Sequence, residues 1–214
     1  MNAKLCEGLK KIPLELNELQ LEQLNIYTEA VLEFNKTYNL MKAENADELF
    51  VNHVLDSLVA VPHLKKLTAE LPEVNASDIG SGGGCPGLPL AVALPEWNFT
   101  LVERMEKRCG FLESAVSKMK LKNVKVLCCQ ADSVPPESFD VEVFRAFHPF
   151  DKKIVKLLFR MLKPQGFLAA YKARSEKIAE EMEGVKMMIG SHEKIPLTVP
   201  FLEDHERNLV IVRK

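Results

Sequence analysis

The chain has 214 residues, of which 47% are hydrophobic and 27% charged, a balance typical of a soluble globular protein with one substantial core. No apolar run approaches the roughly 18 residues that span a bilayer, and the N-terminus lacks the apolar centre of a signal peptide, so we expect a cytoplasmic protein with no membrane partner. The net charge of -2 is unevenly distributed, and residues 104–177 are basic. This segment either attracts nucleic-acid phosphates or consists of solvated helix faces.

The first predicted element is an amphipathic helix that begins at Asn17, whose side chain is placed to form a capping pair with Gln20. Its apolar side chains recur at spacings of three and four, at Leu24, Tyr27, Val31, Phe34 and Tyr38. A second helix is predicted after Asn45, with Glu48 at the equivalent capping position. One face of this second helix carries Phe50, Val54, Leu58 and Val61. We therefore expect an N-terminal helical extension over residues 1–72.

From residue 73 onward, short β-rich runs alternate with helical stretches. The predicted strands cover residues 74–79, 98–103, 123–129, 140–147 and 166–173. The predicted helices between and after them cover residues 89–94, 105–120, 150–162 and 175–184. Residues 185–195 and 208–214 look like a late pair of strands with no helix between them. The alternation predicts a parallel sheet with crossover helices, a three-layer α/β core over residues 73–214.

A glycine-rich loop, 78-DIGSGGGCPGLP-89, follows the first predicted strand and precedes a helix. Loops at this place form the ligand crevice of open parallel sheets, and glycines let a ligand approach the backbone closely. The spacing Gly82-x-Gly84-x-x-Gly87 formally fits the dinucleotide fingerprint. Asp78 argues against a pyrophosphate, because a carboxylate repels phosphates, and the prolines of the loop remove backbone N–H donors.

A ligand with an adenosine and a cationic centre but no phosphate would tolerate this carboxylate, and S-adenosylmethionine is such a ligand. Glu103 ends the second predicted strand, where a carboxylate can accept both hydroxyls of an unphosphorylated ribose. NAD presents the same ribose, and Glu103 can also be an exposed acid at a strand end. An oxidoreductase that uses a nucleotide cofactor therefore stays open beside a methyltransferase.

The five cysteines do not show the short paired spacing of a zinc site or of a disulfide framework. We expect them to be reduced thiols, most of them in the core, and we expect no metal. Cys85 lies in the glycine loop itself. We do not expect it to be a covalent nucleophile, because a methyltransferase needs such a thiolate only when the methylated atom reacts through a covalent adduct.

Seven stretches of the sequence together carry a resemblance to a known family: 34-FNKTYNL-40, 53-HVLDSL-58, 78-DIGSGGGCPGLPL-90, 99-FTLVERMEKRCGFL-112, 145-RAF-147, 171-YK-172 and 206-ERNLVIV-212. In order and over nearly the full length, they resemble the RsmG (GidB) family of bacterial 16S rRNA methyltransferases, which act on N7 of a guanine. The resemblance implies a class I S-adenosylmethionine-dependent, Rossmann-like fold with an N-terminal helical extension. It also implies S-adenosylmethionine as cofactor, S-adenosylhomocysteine as product, and a monomer that acts on 16S rRNA in the small ribosomal subunit or its precursor.

Carried over by position, the resemblance implies a set of cofactor-binding residues: Asp78, Gly80, Gly82, Cys85, Glu103, Ala131, Asp132 and Arg145. Arg145 and Lys172 would be the catalytic residues that orient the base. Lys172, Arg207 and His53 would contact the RNA. For four of these residues a purely structural role stays open as an alternative. Lys172 and Arg207 could form surface ion pairs, His53 could be a structural histidine, and Asp132 could be a turn residue.

This chain departs from the family pattern at several positions. Asn52 and Gln130 stand where the family tends to have arginine, Cys85 replaces a larger apolar residue, and Ala173 follows Lys172 where a glycine is usual. Two missing arginines on the RNA side leave open a non-catalytic RNA-binding or ribosome-associated protein that retains the cofactor pocket. Guanine N7 is unprotonated at neutral pH, so its methylation needs positioning rather than a general base.

Overall fold

The computed structural model describes residues 2–214, so that only residue 1 of the predicted extension lies outside it. The helices are α1 (Ala3–Leu9), α2 (Glu18–Asn35), α3 (Ala46–Leu49), α4 (Asp56–Leu58), α5 (Val61–Leu67), α6 (Gly87–Ala93), α7 (Glu106–Lys118), α8 (Lys152–Met161) and α9 (Ser175–Val185). The strands are β1 (Asn75–Ile79), β2 (Asn98–Glu103), β3 (Val124–Cys128), β4 (Phe139–Arg145), β5 (Leu162–Lys172), β6 (His192–Pro196) and β7 (Asn208–Arg213). None of the helices within residues 2–214 is long and apolar enough to cross a membrane.

The strands form one seven-stranded sheet in the order β3-β2-β1-β4-β5-β7-β6. Strands β1 to β5 pair in parallel, and β7 is antiparallel to both β5 and β6. Successive side chains of a strand point to opposite faces, and in β5 Phe167 and Ala169 join one apolar cluster whereas Leu168 and Ala170 join the other. Helices cover both faces, which confirms the predicted three-layer α/β arrangement.

The late pair of strands is shorter than predicted. Strand β6 begins only at His192, because α9 continues to Val185 and a turn follows it. The prediction of a strand from residue 185 was therefore wrong. Val185 ends the helix and Ile189 follows the turn, and both are buried in the apolar cluster on the α8 and α9 side of the sheet.

Helix α2 begins as predicted and ends earlier. Asn17 accepts a hydrogen bond from the backbone N–H of Gln20, whose side chain accepts one from the N–H of Asn17, so the capping box is confirmed. The helix stops at Asn35, and Tyr38 lies beyond it. The reason is local: the Asn35 side chain accepts hydrogen bonds from the N–H groups of residues 40 and 41, which holds the chain in a turn.

The second predicted helix is interrupted. Asn45 caps α3, but a π-helical segment over Phe50–Leu55 follows, then the short α4 and the separate α5. The predicted apolar face is nevertheless buried along its whole length. Apolar spacings of four are compatible with both helix types, so the periodicity does not distinguish them.

The N-terminal helices share their core with the sheet. One continuous cluster of buried apolar side chains includes Leu5 and Leu24 of the extension together with Ala76 of β1 and Val141 of β4. A boundary at residue 72 remains a prediction about the chain's organisation, and in the folded molecule the two parts bury one common apolar surface.

Leu24→Ala should lower the free energy of unfolding by about 2–5 kcal/mol, because Leu24 is fully buried in this shared cluster. The matched control is Leu19→Ala in the same helix, where the side chain is 61% exposed and the expected loss is under about 0.5 kcal/mol. Urea unfolding followed by circular dichroism measures both values. Similar losses for the two variants would contradict a core that runs from α2 into the sheet.

Candidate active site

A cavity with a volume of about 730 Å³ opens at the carboxyl ends of β1, β4 and β5. Its wall is formed by the glycine loop after β1, the loop after β4, the end of β5 and the π-helical segment of the extension. This is the edge at which open α/β sheets bind ligands. The structure therefore brings most of the predicted site residues to one cavity: Gly80, Gly82, Cys85, Arg145, Lys172, Arg207 and His53 all line it.

Two glycines of the loop are required by its backbone. Gly80 and Gly82 have φ angles of +73° and +55°, in the left-handed region that favours glycine. A Cβ on Gly80 would lie 2.5 Å from Cδ2 of Phe147, which packs against the loop from the segment after β4. A Cβ on Gly82 would meet the carbonyl oxygen of Gly80 and Nη1 of Arg108 at 3.8 and 4.0 Å, so the φ angle and not crowding favours glycine there.

Asp78 lies beneath the loop and does not line the cavity. Its side chain is 1% exposed, and Oδ2 accepts a hydrogen bond of 2.9 Å from the N–H of Gly87 at the start of α6. Burial raises the pKa of this carboxyl to about 7, although the Gly87 bond and the charge of Arg145 oppose the shift. Asp78 thus braces the loop from inside, and its predicted contact with a cofactor stays a prediction.

Glu103 is buried at the end of β2, so it is not the exposed acid of the alternative interpretation. Its Oε2 accepts a hydrogen bond of 2.9 Å from the N–H of Gly82, which joins β2 to the glycine loop. Its Oε1 accepts from the N–H groups of Arg104 and Met105 at 2.9 and 3.0 Å. A carboxylate oxygen has two acceptor positions, so Oε2 keeps a second one, and the predicted contact of Glu103 with a ribose stays a prediction.

Ala131 and Asp132 stand in a short 3-10 turn after β3 and do not line the cavity. Their carbonyl oxygens accept hydrogen bonds from Nη2 of Arg160 at 3.1 and 3.0 Å, which fixes the turn against α8. The turn follows the strand that pairs with the end of β2, because Glu103 is in register with Cys128. A role for both residues at the adenine therefore remains a prediction.

Arg145, at the end of β4, is held by the extension. Its Nη1 donates to Oδ2 of Asp56 at 2.6 Å, and its Nη2 lies 2.9 Å from Nδ1 of His53. The other oxygen of Asp56 accepts from Nε of Arg207 at 3.0 Å. One buried carboxylate thus places two guanidinium groups side by side in the cavity.

His53 uses both ring nitrogens within the protein. Nε2 lies 3.1 Å from the carbonyl oxygen of Lys42 and can only donate to it, which leaves Nδ1 as the acceptor for Arg145. Burial and, next, the charge of Arg145 lower the pKa of the imidazole. His53 is accordingly neutral and positions Arg145; a direct contact with RNA stays a prediction.

Lys172, at the end of β5, forms an ion pair with Glu181 of α9, with 2.7 Å between Nζ and Oε2. Its Nζ also lies 5.0 Å from the centre of the Phe150 ring. The ion-pair alternatives raised for Lys172 and Arg207 are thus present in the structure, while both side chains still line the cavity. Neither observation tests their predicted contacts with RNA.

Sequence reasoning missed two supports of the cavity. Tyr27 of α2 is fully buried, and its hydroxyl donates to the carbonyl oxygen of Gly83 at 2.7 Å and lies 3.1 Å from Sγ of Cys85. Burial raises the pKa of Cys85, which keeps the thiol protonated and unsuited to nucleophilic attack. Arg108 of α7 also lines the cavity; a basic residue in the first turn after the strand-end acid was the available signal.

The prediction that all five cysteines are free thiols was wrong for one pair. Cys109 in the first turns of α7 and Cys128 at the end of β3 form a disulfide, with 5.7 Å between their Cα atoms. Nineteen residues separate them in sequence, and only the pairing of β3 beside β2 brings them together. Over residues 2–214, no group of three or more His, Cys, Asp or Glu side chains is placed to hold a metal ion.

Comparison with known proteins gives a consistent result. The family model described as GidB, rRNA small subunit methyltransferase G, matches residues 20–210. The ribosomal RNA small subunit methyltransferase G of Treponema denticola is 36% identical, covering 100% of this chain and 94% of its own length. The protein of the same name from Chromobacterium violaceum is 37% identical, covering 97% of this chain and 95% of its own length.

A solved structure shows the fold. The SAM-dependent methyltransferase from Aquifex aeolicus superposes with a TM-score of 0.55 at 16% identity, covering 86% of this chain and 97% of its own. The seven-stranded sheet and this similarity give the chain the fold of the class I S-adenosylmethionine-dependent methyltransferases, as predicted.

Asp78→Asn should change how stability depends on pH. The folded chain keeps a proton on Asp78 up to a pKa of about 7, whereas the usual value is 3.8, so the folded state binds more protons between these values. The free energy of unfolding therefore falls as pH rises through this window, by up to about 4 kcal/mol from this group. Asparagine keeps the acceptor for Gly87 and does not ionise, so its stability relative to wild type should increase from pH 4 to 7.

Urea unfolding at a series of pH values measures this difference. Asp204→Asn, at an exposed carboxyl, is the control and should follow the wild-type curve. Parallel curves for Asp78→Asn and wild type would show that the buried carboxyl does not titrate in this range.

Proposed function

Because this chain belongs to the rRNA small subunit methyltransferase G (GidB) family, we propose that it transfers the methyl group of S-adenosylmethionine to N7 of a guanine in 16S rRNA. The observation that carries the proposal is the family match over residues 20–210 combined with a cavity that joins the glycine loop to the Arg145 and Arg207 pair. The loop offers bare backbone to a cofactor, and the guanidinium groups offer hydrogen-bond donors to a base.

S-adenosylmethionine fits the residues that are present. Gly80 and Gly82 of the loop line the cavity, and the buried carboxylate of Glu103 keeps one acceptor position for a ribose hydroxyl. The backbone of Gly80 would contact the cofactor, and Ala131 with Asp132 would flank its adenine. When bound, this cofactor supplies an electrophilic methyl group on a sulfonium. A pyrophosphate suits the site less well, because Pro86 and Pro89 have no backbone N–H to donate to it.

The chain's own residues position the base and take no proton from it. Guanine N7 is an unprotonated acceptor, so the neutral His53 and the protonated thiol of Cys85 are compatible with the reaction. Arg145 and Arg207 keep N–H donors beyond those used on Asp56, and guanidinium donors bind guanine O6 well. Catalysis then depends on holding the base in line with the methyl group and away from water.

The partner in this proposal is 16S rRNA in the small ribosomal subunit or its precursor, and the place of work is the cytoplasm. The proposal takes a monomer as the active form. The positions of Asn52 and Gln130, where the family tends to have arginine, bear on how tightly the RNA is held. Asn52 does line the cavity, so the proposal includes a polar amide contact there.

The decisive experiment supplies methyl-labelled S-adenosylmethionine with either naked 16S rRNA or small subunits from a strain that lacks this methyltransferase. We expect label in 7-methylguanosine after nuclease digestion, and none with subunits that are already methylated. Binding of S-adenosylhomocysteine and RNA without any transfer would identify a non-catalytic RNA-binding protein. Thermal stabilisation by NAD and not by S-adenosylhomocysteine would identify a nucleotide-dependent oxidoreductase.

Lys172→Ala should reduce kcat/KM for RNA by about tenfold or more while leaving cofactor affinity unchanged, because it removes a cation that lines the cavity and that we propose contacts the RNA. Methyl transfer and calorimetry with S-adenosylhomocysteine measure the two quantities. Lys186→Ala is the matched control, since it removes a Lys–Glu pair of α9 outside the cavity. Loss of cofactor affinity in Lys172→Ala would reject this division of labour.

A further inference from the structure

A partly exposed aromatic ring lies near the rim of the cavity. Tyr38 belongs to the turn after α2, and its carbonyl oxygen accepts a hydrogen bond of 2.8 Å from the N–H of Leu40. Leu40 and Met41, two and three residues after Tyr38, line the cavity directly. The Tyr38 side chain is 44% exposed. The turn therefore places one aromatic side chain outside the cavity that its neighbours enclose.

The ring of Tyr38 is fixed by an aromatic ladder. Its centre lies 5.1 Å from that of Phe34 in α2, and Phe34 in turn lies 5.0 Å from Phe111 in α7. Phe111 is buried in the shared core. A ring that is already anchored by its neighbours needs little further ordering when it stacks on a ligand, which would take the place of the Lys107 ammonium over the ring. A single exposed apolar side chain does not by itself indicate a binding site. The charged residues around Tyr38 are therefore the further evidence to consider.

Two cations of α7 accompany the ring. Nζ of Lys107 lies 4.6 Å from the centre of the Tyr38 ring, and the next residue, Arg108, lines the cavity with a side chain that is 41% exposed. The acid nearest to the Arg108 guanidinium is Glu103, 3.9 Å away, whose oxygens already accept three backbone N–H groups. Glu106 is the remaining acid of this helical turn and is exposed to solvent. Positive charge thus runs from the ring into the cavity.

We infer that Tyr38, Lys107 and Arg108 form a rim platform that binds single-stranded RNA next to the target guanine. Tyr38 stacks on an unpaired base, and the two cations contact the phosphates that connect this base to the guanine in the cavity. An aromatic face combined with flanking cations is the arrangement by which proteins hold unpaired nucleotides. The inference rests on the proposed function for the identity of the RNA, and it adds a second contact outside the cavity.

The rim platform would also offset part of the free-energy cost of unstacking the target guanine. A guanine that enters the cavity leaves the stack of its neighbours, which costs a few kcal/mol. Stacking of an adjacent base on Tyr38 offsets part of this cost at the place where the RNA chain leaves the cavity. The residues inside the cavity are occupied with the guanine and the cofactor, so they do not supply this compensation.

The test is a fluorescence-anisotropy titration of a fluorescein-labelled single-stranded RNA of about ten nucleotides, a length within the usual site size. Tyr38→Ala should raise its Kd about tenfold, and Tyr38→Phe should bind like wild type, because stacking needs the ring and not the hydroxyl. Lys107→Ala should reduce the slope of log Kd against log salt by about 0.7. Calorimetry with S-adenosylhomocysteine should give the wild-type affinity for all three variants, which also shows that they are folded.

Met187→Ala is the control, since Met187 is 89% exposed and lies outside the cavity lining; it should leave RNA binding unchanged. An unchanged Kd in Tyr38→Ala, equal losses in Tyr38→Phe and Tyr38→Ala, or a joint loss of cofactor affinity would each overturn the platform. An effect confined to intact small subunits and missing with the RNA alone would also overturn it, and would indicate a protein partner.

The outcomes separate this inference from the proposed function. RNA binding that depends on Tyr38, without methyl transfer to 16S rRNA, would support the platform and reject the proposed activity. Methyl transfer with the same KM for RNA in wild type and Tyr38→Ala would support the activity and reject the platform.

Discussion

The carboxylate of Asp56 organises this molecule, because a buried charge is tolerated only where opposite charges and hydrogen bonds surround it. Its two oxygens bind guanidinium groups from the end of β4 and from the segment before β7. Three parts of the chain must therefore meet at one point: the π-helical segment of the extension with its flanking helix, the middle of the sheet, and the C-terminal strand pair. The same contacts aim Arg145 and Arg207 into the cavity, so the interaction that joins the parts of the fold also prepares the site.

The polar groups around the glycine loop serve a similar double purpose. Asp78 holds the loop from beneath, Glu103 holds it from the neighbouring strand, and Tyr27 holds it from the extension. Each of them forms a hydrogen bond with the loop backbone, so the loop is held by contacts within the protein. Such preorganisation is what a reaction without proton transfer requires, since its rate depends on geometry more than on acid or base strength.

Features that depend on nearby residues were predictable from the sequence. The alternation of strands and helices and the Asn17 cap follow from spacings within one element, and the edge of the sheet that carries the ligand follows from parallel pairing. Features that depend on distant residues were not. Cys109 and Cys128 meet only through the order of the strands, and Asp56 meets its arginines only through the packing of the extension. The hydrogen bond between the Asp78 carboxyl and the N–H of Gly87 was not foreseen either, whereas the predicted contact of Asp78 with the cofactor stays a prediction.

The pairing of Asp56 with Arg207 spans 151 residues of chain. During synthesis at about 5–20 residues per second, the carboxylate leaves the translating ribosome on the order of ten seconds before its second partner exists. The cavity thus acquires its full set of charges only after β7 is made and has turned back, antiparallel, along β5. For a protein whose proposed substrate is part of a ribosome, this order of assembly means that a nascent chain has no finished site with which to modify the particle that is producing it.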